Sequence, residues 1–176
     1  MIVLIDGFSI AFRAFYALPE TLMTSKGTPT NVIHGFLSML NKISTDYKLE
    51  QLIVTWDLPG KTFRNDIYTD YKANRSSAPD NFNVQVPLLH ELLKTFNIPQ
   101  VSKEGFEADD VLGSLSTILN NQNKKVLIVT GDRDTYQLIS NKTKILYTKR
   151  GISDVDLVDE KFFFKKFGIK TNQYVE

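Results

Sequence analysis

Three short runs rich in Ile, Val and Leu constrain the fold of this chain more than any other feature of its sequence. IVLI (2–5), QLIVTW (51–56) and KVLIVT (125–130) are rich in β-branched residues and too short to be typical helices. Segments of helical periodicity alternate with them, at 30–47, 84–96 and 108–121. Strands that are apolar on both sides and alternate with helices are typical of a parallel sheet covered on both faces. We therefore predict an α/β fold with a mostly parallel central sheet.

Weaker patterns extend this alternation. IPQV (98–101) and TKILYT (143–148) predict two more strands, and DEKFFFKKFG (159–168) predicts a final helix. Residues 58–82 are polar and contain Pro, Gly, Asn and Ser, which predicts a long loop or loosely packed helices. The length of 176 residues suits a single domain, 1–176.

Composition excludes several kinds of protein. The chain has no cysteine and only two histidines, so disulfides and Cys-ligated zinc are excluded and a Ser-His-Asp mechanism has little support. No apolar stretch approaches the roughly 18–20 residues of a membrane span. The net charge is +1, so a basic surface for nucleic acid has to be local.

Acidic residues follow the predicted strands, at the point where each strand ends. The carboxyl ends of parallel strands share one edge of a sheet, so these side chains should converge there. Four separate segments contribute them: Asp6, Asp57, the group Glu107, Asp109 and Asp110 in GFEADDVL, and the pair Asp132 and Asp134 in GDRD.

Two interpretations of these acids are open. Each one alone is typical of a helix N-cap or a turn. Together, carboxylates a few Å apart cannot all stay ionised unless something neutralises them, and bound cations would do so. Oxygen ligands without His or Cys suit Mg²⁺ or Mn²⁺, and such a cluster can hold two ions about 3.5–4 Å apart. A helical wheel of 108–121 predicts that Glu107 and Asp110 share an ion and that Asp109 lies on the opposite flank.

The segment 57–75 combines positive charges with aromatic rings. Cations can hold phosphates and rings can stack on unpaired bases, but an ordinary solvated face is equally compatible with the spacing. The residues concerned are Lys61, Arg64, Lys72 and Arg75, interleaved with Phe63, Tyr68 and Tyr71. Arg13, in the apolar segment FSIAFRAFYAL, either extends its head to solvent or is held near an anion at the sheet edge.

The motifs, taken in order, resemble a known family. LIDG followed by FRAFYAL, then WD, FRND-x-Y-x-x-YKANR, GFEADDVL and VTGDRDTYQL closely resemble the 5′–3′ exonuclease domains of bacterial DNA polymerase I and the stand-alone flap endonucleases. The resemblance covers essentially the whole chain. It implies a PIN-like, resolvase-like three-layer fold with an acidic site at the C-terminal edge of the strands.

The resemblance also implies an activity and roles for individual residues. It implies a nuclease that uses Mg²⁺ or Mn²⁺, with two ions in the complete site, and acts on DNA with 5′ flaps, nicks or branched ends. All seven acids would bind metal, and Tyr71 would stack on the terminal base. Arg64 and Tyr68 would belong to a helical gateway within 58–82 that admits a single-stranded 5′ end. The residues nearest the scissile phosphate would be Lys72, Arg75 and Arg13.

Further expectations concern the whole protein. The family continues with two more metal-binding aspartates and a helix–three-turn–helix that grips duplex DNA, and the chain stops before both. We therefore expect a piece of a longer protein, with an incomplete second metal site and without the duplex-binding part. The family includes members with and without a polymerase domain in the same chain. The resemblance implies a monomer in the bacterial cytoplasm, with no membrane partner.

Three other readings stay open. A PIN-type ribonuclease would use the same acids on RNA, although the YKANR gateway argues against it. A module that binds ions and DNA ends with little turnover would also fit a chain without the downstream aspartates. Finally, the acids would only cap helices if no metal binds.

Overall fold

The computed structural model describes residues 1–72, 77–150 and 154–174, and a six-stranded sheet forms its centre. The strands lie in the order β3-β2-β1-β4-β5-β6, and all neighbours are parallel except β5 and β6. In chain order they are β1 (Ile2–Asp6), β2 (Gln51–Thr55), β3 (Gln100–Val101), β4 (Val126–Thr130), β5 (Thr143–Arg150) and β6 (Asp154–Val158). The prediction of an α/β fold with a mostly parallel sheet is confirmed.

Seven helices accompany the sheet in the described residues. They are α1 (Gly7–Ala17), α2 (Asn31–Asp46), α3 (Phe63–Ile67), α4 (Asp80–Asn83), α5 (Gln85–Thr95), α6 (Ala108–Asn121) and α7 (Glu160–Phe167). Short 3₁₀ turns occupy Asp134–Leu138 and Thr171–Gln173. Within the described part of the chain, no helix is both long and apolar enough to cross a bilayer.

Alternation along β1 explains why helices cover both faces of the sheet. Successive side chains of a strand point to opposite faces. Val3 and Ile5 belong to a buried cluster that includes side chains of α1, α2 and α5. Ile2 and Leu4 belong to a second cluster, with side chains of α6 and α7. The result is the predicted three-layer arrangement.

The strand order also sets where a site can form. Strand β1 lies between β2 and β4, so the chain builds the sheet outward from β1 in both directions. In open α/β sheets, such a reversal leaves a crevice at the carboxyl ends of the strands. That crevice lies between the ends of β1 and β4, where Asp6 and Asp132 are found.

Gly7 allows β2 and α1 to approach each other beside that crevice. A Cβ at Gly7 would lie only 2.5 Å from the buried ring of Trp56, so Gly7→Ala should destabilise the fold by about 1–3 kcal/mol. Urea unfolding followed by the fluorescence of Trp56, the single tryptophan, measures this. Gly113→Ala in α6 is the matched control, since its Cβ would lie 3.4 Å from Leu138 and helix propensity favours alanine. Equal destabilisation by the two changes would contradict the prediction.

Candidate active site

Five of the seven predicted acids line one pocket at the carboxyl edge of the sheet. The pocket has a volume of about 500 Å³. Segments that are far apart in sequence meet here because parallel strands end at the same edge. The acids are Asp6, Asp57, Glu107, Asp109 and Asp132, and the remaining lining includes Phe8, Ser9, Phe12, Lys72 and Gly131.

Hydrogen bonds to the main chain fix three of these carboxylates. Asp6 caps α1, with Oδ1 accepting from Ser9 N at 3.0 Å. Asp57 Oδ1 accepts from Ala108 N, in the first turn of α6, at 2.7 Å. Asp132 Oδ1 accepts from the N–H of Asp134 at 2.9 Å. Because an ionised carboxylate has about four lone-pair sites, these bonds leave acceptor capacity for a ligand.

Burial and mutual repulsion disturb the ionisation of this cluster. Burial raises the pKa of Asp6 to about 6, and the charges of Asp57 and Asp132 add to the effect. The pKa of Asp109 rises to about 7, first through burial and then through the charges of Asp6, Asp132, Asp57 and Glu107. The pocket therefore holds more carboxyl groups than can all ionise freely at neutral pH, and a bound cation would reduce the repulsion between them.

The carboxylate donors of the pocket suit a divalent cation, although they are not yet gathered around one point. Within residues 1–72, 77–150 and 154–174, no three acidic or histidine side chains are drawn together tightly enough to form a ready-made metal site. Carboxylates that repel one another are expected to stand apart until a cation draws them in. The available donors are carboxylate oxygens, which hard ions such as Mg²⁺ and Mn²⁺ prefer.

The other two acids lie in an adjoining groove of about 800 Å³, which shares Glu107 and Asp109 with the pocket. Asp110 forms a two-pronged ion pair with Arg64, with N–O distances of 2.6 and 2.9 Å. This guanidinium holds the pKa of Asp110 below its usual range. Asp134 lines the same groove.

The helical wheel described the directions of the acids of α6, and which of them share an ion stays a prediction. It placed Glu107 and Asp110 side by side, and both do contact Arg64, at 3.9 and 2.6 Å. However, Asp109 rather than Asp110 lines the pocket with the acids of β1 and β4. A wheel gives only the direction of a side chain around its own helix, and cannot show on which side the other strands end.

The segment after β2 brings positive charge to the rim of the pocket. Lys72 Nζ lies 2.7 Å from Glu107 Oε1, and the hydroxyl of Tyr71 donates to Glu107 Oε2 at 3.3 Å. The backbone of Lys72 has φ of 59°, in the left-handed region that residues other than glycine rarely adopt. Tyr68 is 62% exposed and does not line the pocket. Arg75 lies outside the described residues.

Arg13 reaches the carboxyl edge of the sheet, as one sequence interpretation expected, but main-chain carbonyl groups rather than an anion hold it there. Its guanidinium donates to the main-chain oxygens of Thr148 at 2.9 Å and Lys149 at 2.6 Å, in β5. Arg13 is not among the residues that line the acidic pocket. Its contacts join α1 to the end of β5, and its guanidinium lies beside Gly131, which does line the pocket.

Sequence reasoning also missed two hydroxyl groups close to the acids. Ser9 lines the pocket, and its Oγ accepts from Gly131 N at 2.8 Å. Thr130 Oγ1 lies 2.9 Å from Asp6 Oδ2. A signal existed, because each hydroxyl stands within three residues of an acid at a strand end, in IDGFS and VTGD.

Comparison with known proteins places the chain among nucleases. Residues 1–168 match a family described as "5'-3' exonuclease, N-terminal resolvase-like domain". DNA polymerase I of Mycobacterium leprae is 41% identical over 99% of the chain, and that of Caldicellulosiruptor bescii is 43% identical over 98%. The chain spans only about a fifth of the length of these relatives, 19% and 20% respectively.

Solved structures share the fold at low sequence identity. The bacteriophage T5 D15 flap endonuclease, in a pseudo-enzyme–product complex with DNA and metal ions, superposes with a TM-score of 0.76 at 16% identity, over 98% of this chain and 62% of that one. T5 5′-exonuclease with bound zinc gives a TM-score of 0.74, also at 16% identity, over 98% and 63% of the two chains. The chain belongs to the family of 5′–3′ exonuclease N-terminal, resolvase-like domains.

Proposed function

We propose that this chain is the core of a structure-specific 5′ nuclease, which hydrolyses DNA phosphodiester bonds with the help of Mg²⁺ or Mn²⁺. The observation that carries the proposal is the pocket in which acids from three strand ends and the start of α6 meet, with Lys72 at its rim. The substrate would be DNA with a 5′ flap, a nick or a branched end. Family membership and the fold shared with flap endonucleases support this choice.

The residues of the pocket suit such a hydrolysis. Asp6, Asp57, Asp109 and Asp132 would hold the cation, with Glu107 at the rim. When bound, the ion would supply an activated water and would polarise the phosphate. The partly buried setting of the pocket strengthens each charge interaction inside it. The products would be a 5′-phosphate and a 3′-hydroxyl.

The basic side chains would act on the substrate. Lys72 now neutralises Glu107, and Arg64 neutralises Asp110. A phosphate entering the pocket would offer Lys72 an alternative anion, and its ammonium would stabilise charge that grows on the phosphate oxygens. Tyr71, whose ring lies 5.1 Å from Lys72 Nζ, would be placed to stack on the adjacent base. This is the gateway role proposed for the segment 58–82.

Cleavage of a labelled 5′-flap DNA duplex by the 176-residue chain tests the proposal. We expect cleavage with Mg²⁺ or Mn²⁺, none with chelator, and little cleavage of single-stranded RNA of the same sequence. Preferential cleavage of the RNA would favour a ribonuclease. Binding of Mn²⁺ and DNA ends without turnover would instead favour a binding module, and either outcome would overturn the proposal.

A further inference from the structure

The buried hydroxyl of Thr130 connects two of the acids that line the pocket. Thr130 is the last residue of β4 and is fully buried. Its Oγ1 donates to Asp6 Oδ2 at 2.9 Å and accepts from the main-chain N–H of Asp132 at 3.0 Å. One oxygen atom thus links the acid that ends β1 to the backbone of the acid that follows β4.

The direction of these two bonds follows from the number of protons. A main-chain N–H can only donate, so the N–H of Asp132 must use a lone pair of the threonine oxygen. The single proton of that hydroxyl is then left for Asp6, whose carboxylate oxygens are acceptors. Asp6 also accepts from Ser9 N through its other oxygen, so both of its oxygens are held. The plane of this carboxylate is therefore fixed relative to β4.

We infer that Thr130 is a positioning residue for the cation site, because its hydroxyl fixes the carboxylate of Asp6 and the backbone of Asp132 relative to each other. The inference rests on the proposed function, which makes both acids cation ligands. Hydrogen-bond partners of metal ligands typically contribute about 10- to 100-fold to metal affinity. Two ligands on neighbouring strands gain most from such a link, since a cation must draw both toward one point.

Thr130→Val tests this, because it removes the hydroxyl while it keeps the branched shape of the side chain. Titration calorimetry of the 176-residue chain with Mn²⁺ should show an affinity about 10- to 100-fold weaker. Thr130→Ser, which keeps the hydroxyl, should stay within about threefold of the unchanged chain. Urea unfolding of each variant shows that the chain is folded. If Thr130→Val does not fold, Thr130→Ala compared with Thr130→Ser makes the same test.

Thr55→Val is the matched control. Thr55 is also fully buried at a strand end and pairs directly with Asp6 in the sheet, but its hydroxyl donates to the main-chain oxygen of Ile5, at 3.2 Å. Its loss should leave Mn²⁺ affinity within about threefold of the unchanged chain. Unchanged Mn²⁺ affinity in Thr130→Val, or an equal loss of Mn²⁺ affinity in Thr55→Val, would overturn this inference but leave the proposed function standing. Absence of Mn²⁺ binding by the unchanged chain would overturn the proposed function and the inference with it.

Discussion

Asp109→Asn should lower Mg²⁺-dependent cleavage of a 5′-flap duplex by at least about 100-fold, because a cation ligand typically supplies several kcal/mol of transition-state stabilisation. Asp109 lines the pocket with Asp6, Asp57 and Asp132, and its pKa is raised first by burial and then by those charges. Asparagine keeps the size of the side chain and removes the charge. Initial rates on a labelled flap, with saturating Mg²⁺, measure the effect. A cleavage rate within threefold of that of the unchanged chain would show that Asp109 is not needed in the active site.

The same substitution should stabilise the ion-free chain at high pH. The pKa of Asp109 is about 7 in the folded chain, compared with 3.8 for an aspartate in the unfolded chain. As the pH rises from about 4 to about 7, the unfolded chain loses this proton first and stability falls. Above pH 7 Asp109 is ionised in the folded chain too, and its full destabilising effect is present. Asp109→Asn should therefore gain on the order of 1–3 kcal/mol at pH 8, and the gain should vanish below about pH 4.

Urea unfolding in chelator, at pH 4 and pH 8, measures this difference. Asp46→Asn serves as the control, since Asp46 pairs with Lys42 at the end of α2, away from the pocket, and should change stability by no more than about 0.5 kcal/mol. Mg²⁺ at pH 8 should stabilise the unchanged chain and have little effect on Asp109→Asn. A variant that is less stable than the unchanged chain at pH 8 would show that the charge of Asp109 is compensated within the protein.

Lys72→Met should lower flap cleavage by about 100-fold, the typical effect of removing one charged or hydrogen-bonding group that stabilises a transition state. Lys72 is the only lysine that lines the acidic pocket among the described residues; it has a left-handed backbone and pairs with Glu107. Residues kept in such a costly conformation are often functional. Methionine keeps most of the length of the side chain without the charge.

Lys61→Met removes one charge from the same segment and provides the comparison. Lys61 is exposed and does not line the pocket. Its loss should weaken DNA binding only slightly and leave the maximal rate within about threefold, since a solvated charge contributes little at a distance. Equal decreases of the cleavage rate in the two variants would indicate a general effect of charge on DNA binding rather than a role for Lys72 in the reaction.

Much of the fold could be predicted because the central strands carry strong local signals. The runs at 2–5, 51–56 and 125–130 are rich in Ile, Val and Leu, since helices cover both faces of the sheet. Strand β6 was missed because its sequence, DVDLV, is short and has two acids, and it becomes a strand by pairing with β5. Helix α1 was noticed only as an apolar segment, since the partly buried rings of Phe8 and Phe12 extend its apolar surface beyond the buried face and hide the helical periodicity.

The site was predictable only as far as the sheet edge determines it. The acids that directly follow β1 and β2 are placed by strand direction alone, as Asp6 and Asp57 illustrate. Contacts between side chains from separate segments have no such local signal. The ion pair of Arg64 with Asp110 and the attachment of Arg13 to β5 both depend on how the segments pack. Of these contacts, the ion pair with Arg64 involves Asp110, an acid of the groove rather than of the pocket.

The two edges of the sheet have a consequence for association between chains. An exposed strand edge offers unpaired main-chain groups to which a second chain can add, and short or charged edge strands discourage this. Strand β3, at one edge, has only two residues. Strand β6, at the other, has Asp154 and Asp156, which form ion pairs with Lys149 at 3.1 and 2.9 Å. A sheet whose central strands are strongly apolar is thereby protected against edge-to-edge aggregation.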